Sequence, residues 1–246
     1  LFPVVSGGAL WIWKPGKNKI HTAAAVLSLE EAVCSWLVIL NCMGMELPLW
    51  SIGPGMELCL RLDGTGALFS GLASLIWVLV VFFAFEYMEH EKEDARFFGC
   101  LIMSLGALTG VAWAGNFVTL YLFFEMMTFF SVPLVFHSRK REALRAGMVY
   151  LAYSMLGASI ALGGYFFFRQ YACGTDFKAG GVLTEAAGMV QGRPQILLLA
   201  VFCMAAGFSC KAGLMPLHPW LPIAHPVAPA PVSYTHLRAH ETVLDL

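Results

Sequence analysis

Two charged residues stand where charge is costly. Glu125 lies inside "LYLFFEMMTFF", and Lys211 follows the uncharged run "ILLLAVFCMAAGFSC". A charged side chain at the centre of a membrane span costs about 2.5–3.5 kcal/mol on insertion scales. It is therefore retained where it faces protein or water and has a partner or a task. A carboxylate and an ammonium placed close together favour each other's charged form, and separating them favours the neutral forms. Such a pair can take up and release protons. The plainer alternative is a glutamate that only pins one helix to another. His218, a little beyond Lys211, can bind or release a proton near neutral pH. A lone histidine can equally serve as hydrogen-bonded structure.

The apolar stretch that carries Lys211 extends from about residue 195 to 232, more than one span requires. Pro216, Pro219 and Pro222 interrupt it. Proline lacks an N–H and clashes with the carbonyl four residues back. A continuous helix would thus lose the carbonyls of Ala212, Met215 and His218 as acceptors. Irregular backbone at membrane depth survives only inside protein or beside a water-filled cavity. The segment reads as a broken helix with Lys211 beside the break, an arrangement used for ion sites in transporters.

The elements that must position these residues follow from composition. The 246-residue chain is 59% hydrophobic and 13% charged, with a mean hydropathy of +0.71. Soluble domains carry roughly a quarter charged residues, so the expected class is an all-α, polytopic transmembrane helical bundle. Seven spans are expected, near 1–13, 22–43, 66–85, 97–114, 117–136, 148–168 and 195–232. The first is short and lacks the basic region of a signal peptide. Lys14, Lys17, Lys19, Lys92, Arg96, Arg139, Lys140, Arg141 and Arg145 fall on one side of such a bundle. Arg61, Arg169, Lys178 and Arg193 fall on the other. The positive-inside rule then puts the N-terminus outside, and a prokaryotic inner membrane fits this reading.

Other polar residues carry weaker signals. Glu30 and Glu31 form an acidic pair inside the second span, read as protein-facing or interfacial. Asp63 in "RLDG" suits a helix cap, and "EHEKED" reads as a solvated loop. The cysteines sit mostly in apolar runs without CxxC spacing and read as small buried hydrophobes. Neither metal nor cofactor is expected. A net charge of −1 and the lack of a basic patch argue against nucleic-acid binding.

The stretch "KAGLMPLHPWLPIAHPVAPAPVS", residues 211–233, resembles the broken seventh helix of the antiporter-like subunits. These are the proton-pumping membrane subunits of respiratory complex I, of Mrp-type sodium/proton antiporters and of energy-converting membrane hydrogenases. "YLFFEMMTFFSVPLV" is similar to that family's fifth helix. The resemblance covers roughly residues 60–233 and, more weakly, the two spans before them. It implies that Glu125 and Lys211 form the proton-carrying pair, with His218 as a relay. It further implies proton or sodium movement alongside other membrane subunits, with redox chemistry housed elsewhere. The family fold is about twice this long and contains inverted repeats, so the chain is expected to hold a truncated first half. The histidine is followed here by Pro219, where the family often has threonine or serine.

The tail "VSYTHLRAHETVLDL" has neither apolar run nor family pattern. It is similar to the translation of a transposase sequencing adapter, so residues 234–246 are expected to be foreign to the fold. His236 and His240 are accordingly not read as metal ligands. Rival readings are a structural subunit with a dead channel, a stand-alone carrier of an organic solute and a membrane enzyme. The last two lack the polar or nucleophilic clusters they require.

Overall fold

In lipid a backbone must satisfy its own polar groups, and the apolar runs do so as helices. The computed structural model describes residues 2–232 except 15, 54–55, 90, 173, 175, 179–180 and 184–193. The expected foreign tail and His236 and His240 lie outside the described residues. The helices are α1 (Phe2–Trp13), α2 (Lys17–Asn41), α3 (Gly64–Met88), α4 (Asp94–Ala112), α5 (Phe117–Val135), α6 (Arg141–Phe168) and α7 (Pro194–Ala212). Two short helices follow, α8 (Leu221–Ala224) and α9 (Ala230–Val232).

Among the described residues, six helices, α2 to α7, are long and apolar enough to cross a bilayer. The expectation of seven spans is corrected at the first one. Phe2–Trp13 has 12 residues, and at 1.5 Å per residue that is about 18 Å against a hydrocarbon core of about 30 Å. α4 is the central helix: 83% of its apolar window is buried, against 22–33% for the others. It carries Phe97, Phe98, Leu101, Ile102 and Leu105 into a core shared with α1, α2 and α3. α2, α3 and α7 turn large apolar side chains such as Leu79, Phe82, Leu198 and Phe202 outward.

An antiparallel hairpin, β1 (Glu46–Gly53) and β2 (Met56–Arg61), covers one end of the bundle. In the sequence only Gly-Pro-Gly at 53–55, a turn signal, points to it. Asn116 ties the hairpin to α5. Its carboxamide oxygen caps α5 by accepting from the Thr119 amide at 2.9 Å, and its Nδ2 donates to the Glu57 carbonyl at 2.7 Å. Asp63 caps α3 by accepting from the Gly66 amide at 2.7 Å.

α6 and α7 make the most extensive helix pair. Gly157 and Gly207 face each other, and a β-carbon on either would collide with the other's carbonyl. This close approach carries the end of α7, and with it Lys211, against α5 and α6.

Candidate functional site

Lys211 lies in the last turn of α7 and is only 7% exposed. Its ammonium sits 3.7 Å from the centre of the Phe124 ring. It donates to the Phe124 carbonyl and to Thr128 Oγ1, both on α5. All three contacts are uncharged. A cation over an aromatic face is attracted by the ring quadrupole, and more strongly when desolvated. Two hydrogen bonds are also within the donor capacity of a neutral amine. The pocket therefore suits the side chain with or without its extra proton.

Glu125 is the next residue along α5 and is half-buried. The two residues are near enough to act on each other electrostatically. Among the described residues, however, no ion pair within 4.0 Å joins them. Glu125 Oε1 is buried without a hydrogen-bond partner among the described residues. An unpaired buried carboxylate oxygen is expensive to keep, since charged groups lose more than the about 1–3 kcal/mol of an ordinary unsatisfied group. The carboxyl thus sits beside the cation's pocket but outside its hydrogen bonds.

Two further hydroxyls lie near the ammonium's α5 partners, reached through the Thr128 backbone carbonyl. Thr128 is fully buried. Ser131 Oγ donates to the Thr128 carbonyl at 3.0 Å and shares a 2.8 Å hydrogen bond with the Tyr150 hydroxyl on α6. The Tyr150 ring packs against Trp220, with centroids 5.1 Å apart. Thr128, Ser131 and Tyr150 carry no signal of their own in sequence, because hydroxyl side chains are common in membrane helices, whereas Trp220 belongs to the family-like stretch 211–233. Only the α5–α6–α7 packing brings them to one place.

The break beyond Lys211 differs in cause from the expectation. α7 ends at Ala212, before the first proline. Gly213 adopts a left-handed φ of +68°. The Leu214 amide reaches back to the Ser209 carbonyl at 3.0 Å, and the Gly213 amide to the Cys210 carbonyl at 3.3 Å. This is a Schellman stop, completed by Trp220 Nε1, which donates to the Cys210 carbonyl at 2.8 Å. Pro216 and Pro219 lie in the connection, and Pro222 opens α8, where a missing N–H is harmless. Glycine ends the helix, and the prolines delay its resumption to Leu221. His218 is exposed on this connection. The structure brings together Lys211, the Glu125 position and the α5 hydroxyls, and does not bring the His218 side chain into that cluster.

No group of three or more His, Cys, Asp or Glu residues placed to hold a metal occurs among the described residues.

Residues 114–236 match the family described as NADH:quinone oxidoreductase/Mrp antiporter, TM. Residues 52–98 match NADH-Ubiquinone oxidoreductase (complex I), chain 5 N-terminus. Among curated relatives, the Na(+)/H(+) antiporter subunit A1 of Staphylococcus aureus is 32% identical over 228 residues, covering 89% of this chain and 28% of the relative. The protein of that name from strain JH9 is 32% identical over 189 residues, covering 76% of this chain and 23% of the relative. The chain thus spans less than a third of the length of these relatives. Two solved assemblies contain chains of similar fold. One is the membrane-bound sulfane sulfur reductase, an archaeal respiratory membrane complex, with a TM-score of 0.75, 21% identity, and coverage of 94% of this chain and 47% of that one. The other is the Mrp complex from Dietzia sp. DQ12-45-1b, with a TM-score of 0.75, 18% identity, and coverage of 95% and 43%.

Proposed function

Because the chain belongs to the NADH:quinone oxidoreductase/Mrp antiporter membrane family, we propose that it translocates protons, with sodium as the alternative cation, through a site built on Lys211 and Glu125. The observation that carries this reading is a lysine buried deep in an apolar bundle and held by neutral acceptors alone. A cation that needs no counter-ion to satisfy its hydrogen bonds can lose its proton without leaving its partners unpaired. Glu125, next to the residue that accepts from Lys211, supplies the charge that favours the protonated lysine when the two draw together. When they part, the proton moves on. The Thr128 hydroxyl accepts from the ammonium, and the Ser131–Tyr150 hydroxyl pair lies one helical turn further along α5, bonded to the Thr128 carbonyl rather than to its hydroxyl. His218 enters only if the connection folds back toward Lys211.

Names of relatives support the setting: a multi-subunit membrane complex in which other membrane subunits are the partners. In this reading redox chemistry, where the complex has any, belongs to those partners. The basic residues gather at the bundle end opposite the hairpin, which supports a cytoplasmic placement of that end in a cell membrane.

A structural role without transport is the second reading, favoured by one observation: Lys211 is satisfied by α5 without any ion pair to Glu125, as a helix-pinning residue would be. Lys211→Met separates the two. Proton translocation in membrane vesicles, normalised to assembled complex, should collapse if lysine carries protons. Assembly with undiminished translocation would leave the structural reading in place.

A further inference from the structure

The acidic pair on α2 is split by the rotation of its helix. Glu30 is exposed, whereas Glu31 is only 6% exposed. Glu31 belongs to the buried stripe Ile20, Ala24, Ser28, Glu31, Ser35 that α2 turns inward. Its sole hydrogen bond among the described residues is a long one, 3.5 Å from Ser35 Oγ. It lines a cavity of about 170 Å³ together with Ser35, Thr109 and Phe123. At about 30 Å³ per water, that is room for several waters around one carboxyl group. Phe123 bounds this cavity, while the adjacent Phe124 packs on Lys211. Consecutive helical residues point about 100° apart, so the cavity and the Lys211 pocket lie on different sides of α5.

We propose that Glu31 binds and releases a proton inside this cavity, as a second protonatable site separate from Lys211. In the uptake step a water in the cavity delivers a proton to a carboxylate oxygen, forming the neutral acid. In the release step the acid returns that proton to water, and the carboxylate re-forms.

The lining favours a proton over a metal cation. Hard cations collect about six oxygen ligands. Here the Thr109 hydroxyl is already spent on the Leu105 carbonyl at 3.0 Å, which leaves the carboxylate and Ser35. The charged groups that act on Glu31 are the α-amino group ahead of α1 and Glu30. On α2 itself the neighbours are Glu30 and the Cys34 thiol. From α1, α4, β2 and α5 the cavity receives no charged side chain. Asp94 and Arg96 sit at the far end of α4 from Thr109, and Asp63 and Glu86 at the two ends of α3. This proposal does not depend on the role given to Lys211.

The test uses the subunit in its assembled complex. N,N′-dicyclohexylcarbodiimide attacks protonated carboxyl groups in apolar surroundings, and fragment masses separate an adduct on Glu31 from one on Glu30. We expect Glu31 to be modified across an acid-to-alkaline series, less at each more alkaline step, as a carboxyl group that exchanges its proton with water should be. Glu31→Gln should assemble normally and lower proton flux at least about tenfold, the scale of a lost proton-transfer group. Glu31→Asp should keep most of the flux. No adduct over that pH range, an adduct that ignores pH, or unchanged flux in Glu31→Gln would each overturn the proposal. Should Glu31→Gln fail to assemble, the pH profile of labelling in the unaltered complex decides.

Discussion

The ammonium of Lys211 is bonded to the carbonyl of Phe124, one residue short of the carboxylate that the sequence nominates as its partner. That single-residue offset places the cation beside Glu125 without closing an ion pair. It makes the α5 backbone and Thr128 participants in whatever the lysine does.

Thr128→Val keeps the shape of the side chain and removes the oxygen that accepts from Lys211. A hydrogen bond to a charged group is worth about 1.5–3 kcal/mol, so thermal stability of the subunit should fall by that order. Proton flux should fall with it, while Thr128→Ser should restore both. Flux and melting temperature measured on the three forms decide the matter. Equal values in Thr128→Val and the unaltered protein would remove Thr128 from the site.

Trp220→Phe retains the ring against Tyr150 but deletes the N–H that holds the Cys210 carbonyl. The last turn of α7 should loosen by about 1 kcal/mol, the typical net worth of such a bond. Hydrogen exchange of the amides at 213 and 214, which close the Schellman stop, should accelerate about fivefold at that energy. Unaltered exchange there would show that the glycine turn alone ends the helix.

His137, just beyond α5, is 5% exposed, and its backbone carbonyl accepts from Arg96 at 2.9 Å. Burial first, and the neighbouring Arg96 guanidinium second, push the imidazole below its ordinary value. The folded protein therefore favours the neutral ring. The stability this gives is complete above the unfolded value of about 6.5 and is lost as pH falls below it toward the depressed folded value. Melting temperature should decline as acid is added below about pH 6.5, and His137→Gln should flatten that decline. An identical pH profile in the variant would assign the acid sensitivity elsewhere.

What could be read from the sequence was what water and lipid decide. Long apolar runs announced helices, and charges within them announced Glu125 and Lys211. Details set by rotation and packing stayed hidden. Glu30 and Glu31 are indistinguishable until the buried face of α2 is fixed. Thr128 and Tyr150 become meaningful only once the Gly157–Gly207 contact presses α7 and α6 together. The break after Lys211 was legible, yet its cause was assigned to prolines when Gly213 stops the helix first. The hairpin is not legible in the sequence because its apolar strands blend into the spans on either side.

Glu125→Gln and Lys211→Met should each assemble and lose most proton flux, and the double variant should lose no more than either one. Residues that act as a unit show this non-additivity. Additive losses in translocation assays on the three variants would mean that the residues serve separate steps.

Lys211→Arg tests the central claim most directly. Arginine preserves the positive charge, the hydrogen bonds and the attraction to the Phe124 ring, but it does not release its proton in proteins. Proton translocation by the assembled complex in sealed vesicles should fall as far as in Lys211→Met, with assembly intact. Translocation close to that of the unaltered complex would show that charge alone is needed at this position, and would contradict proton carriage by Lys211.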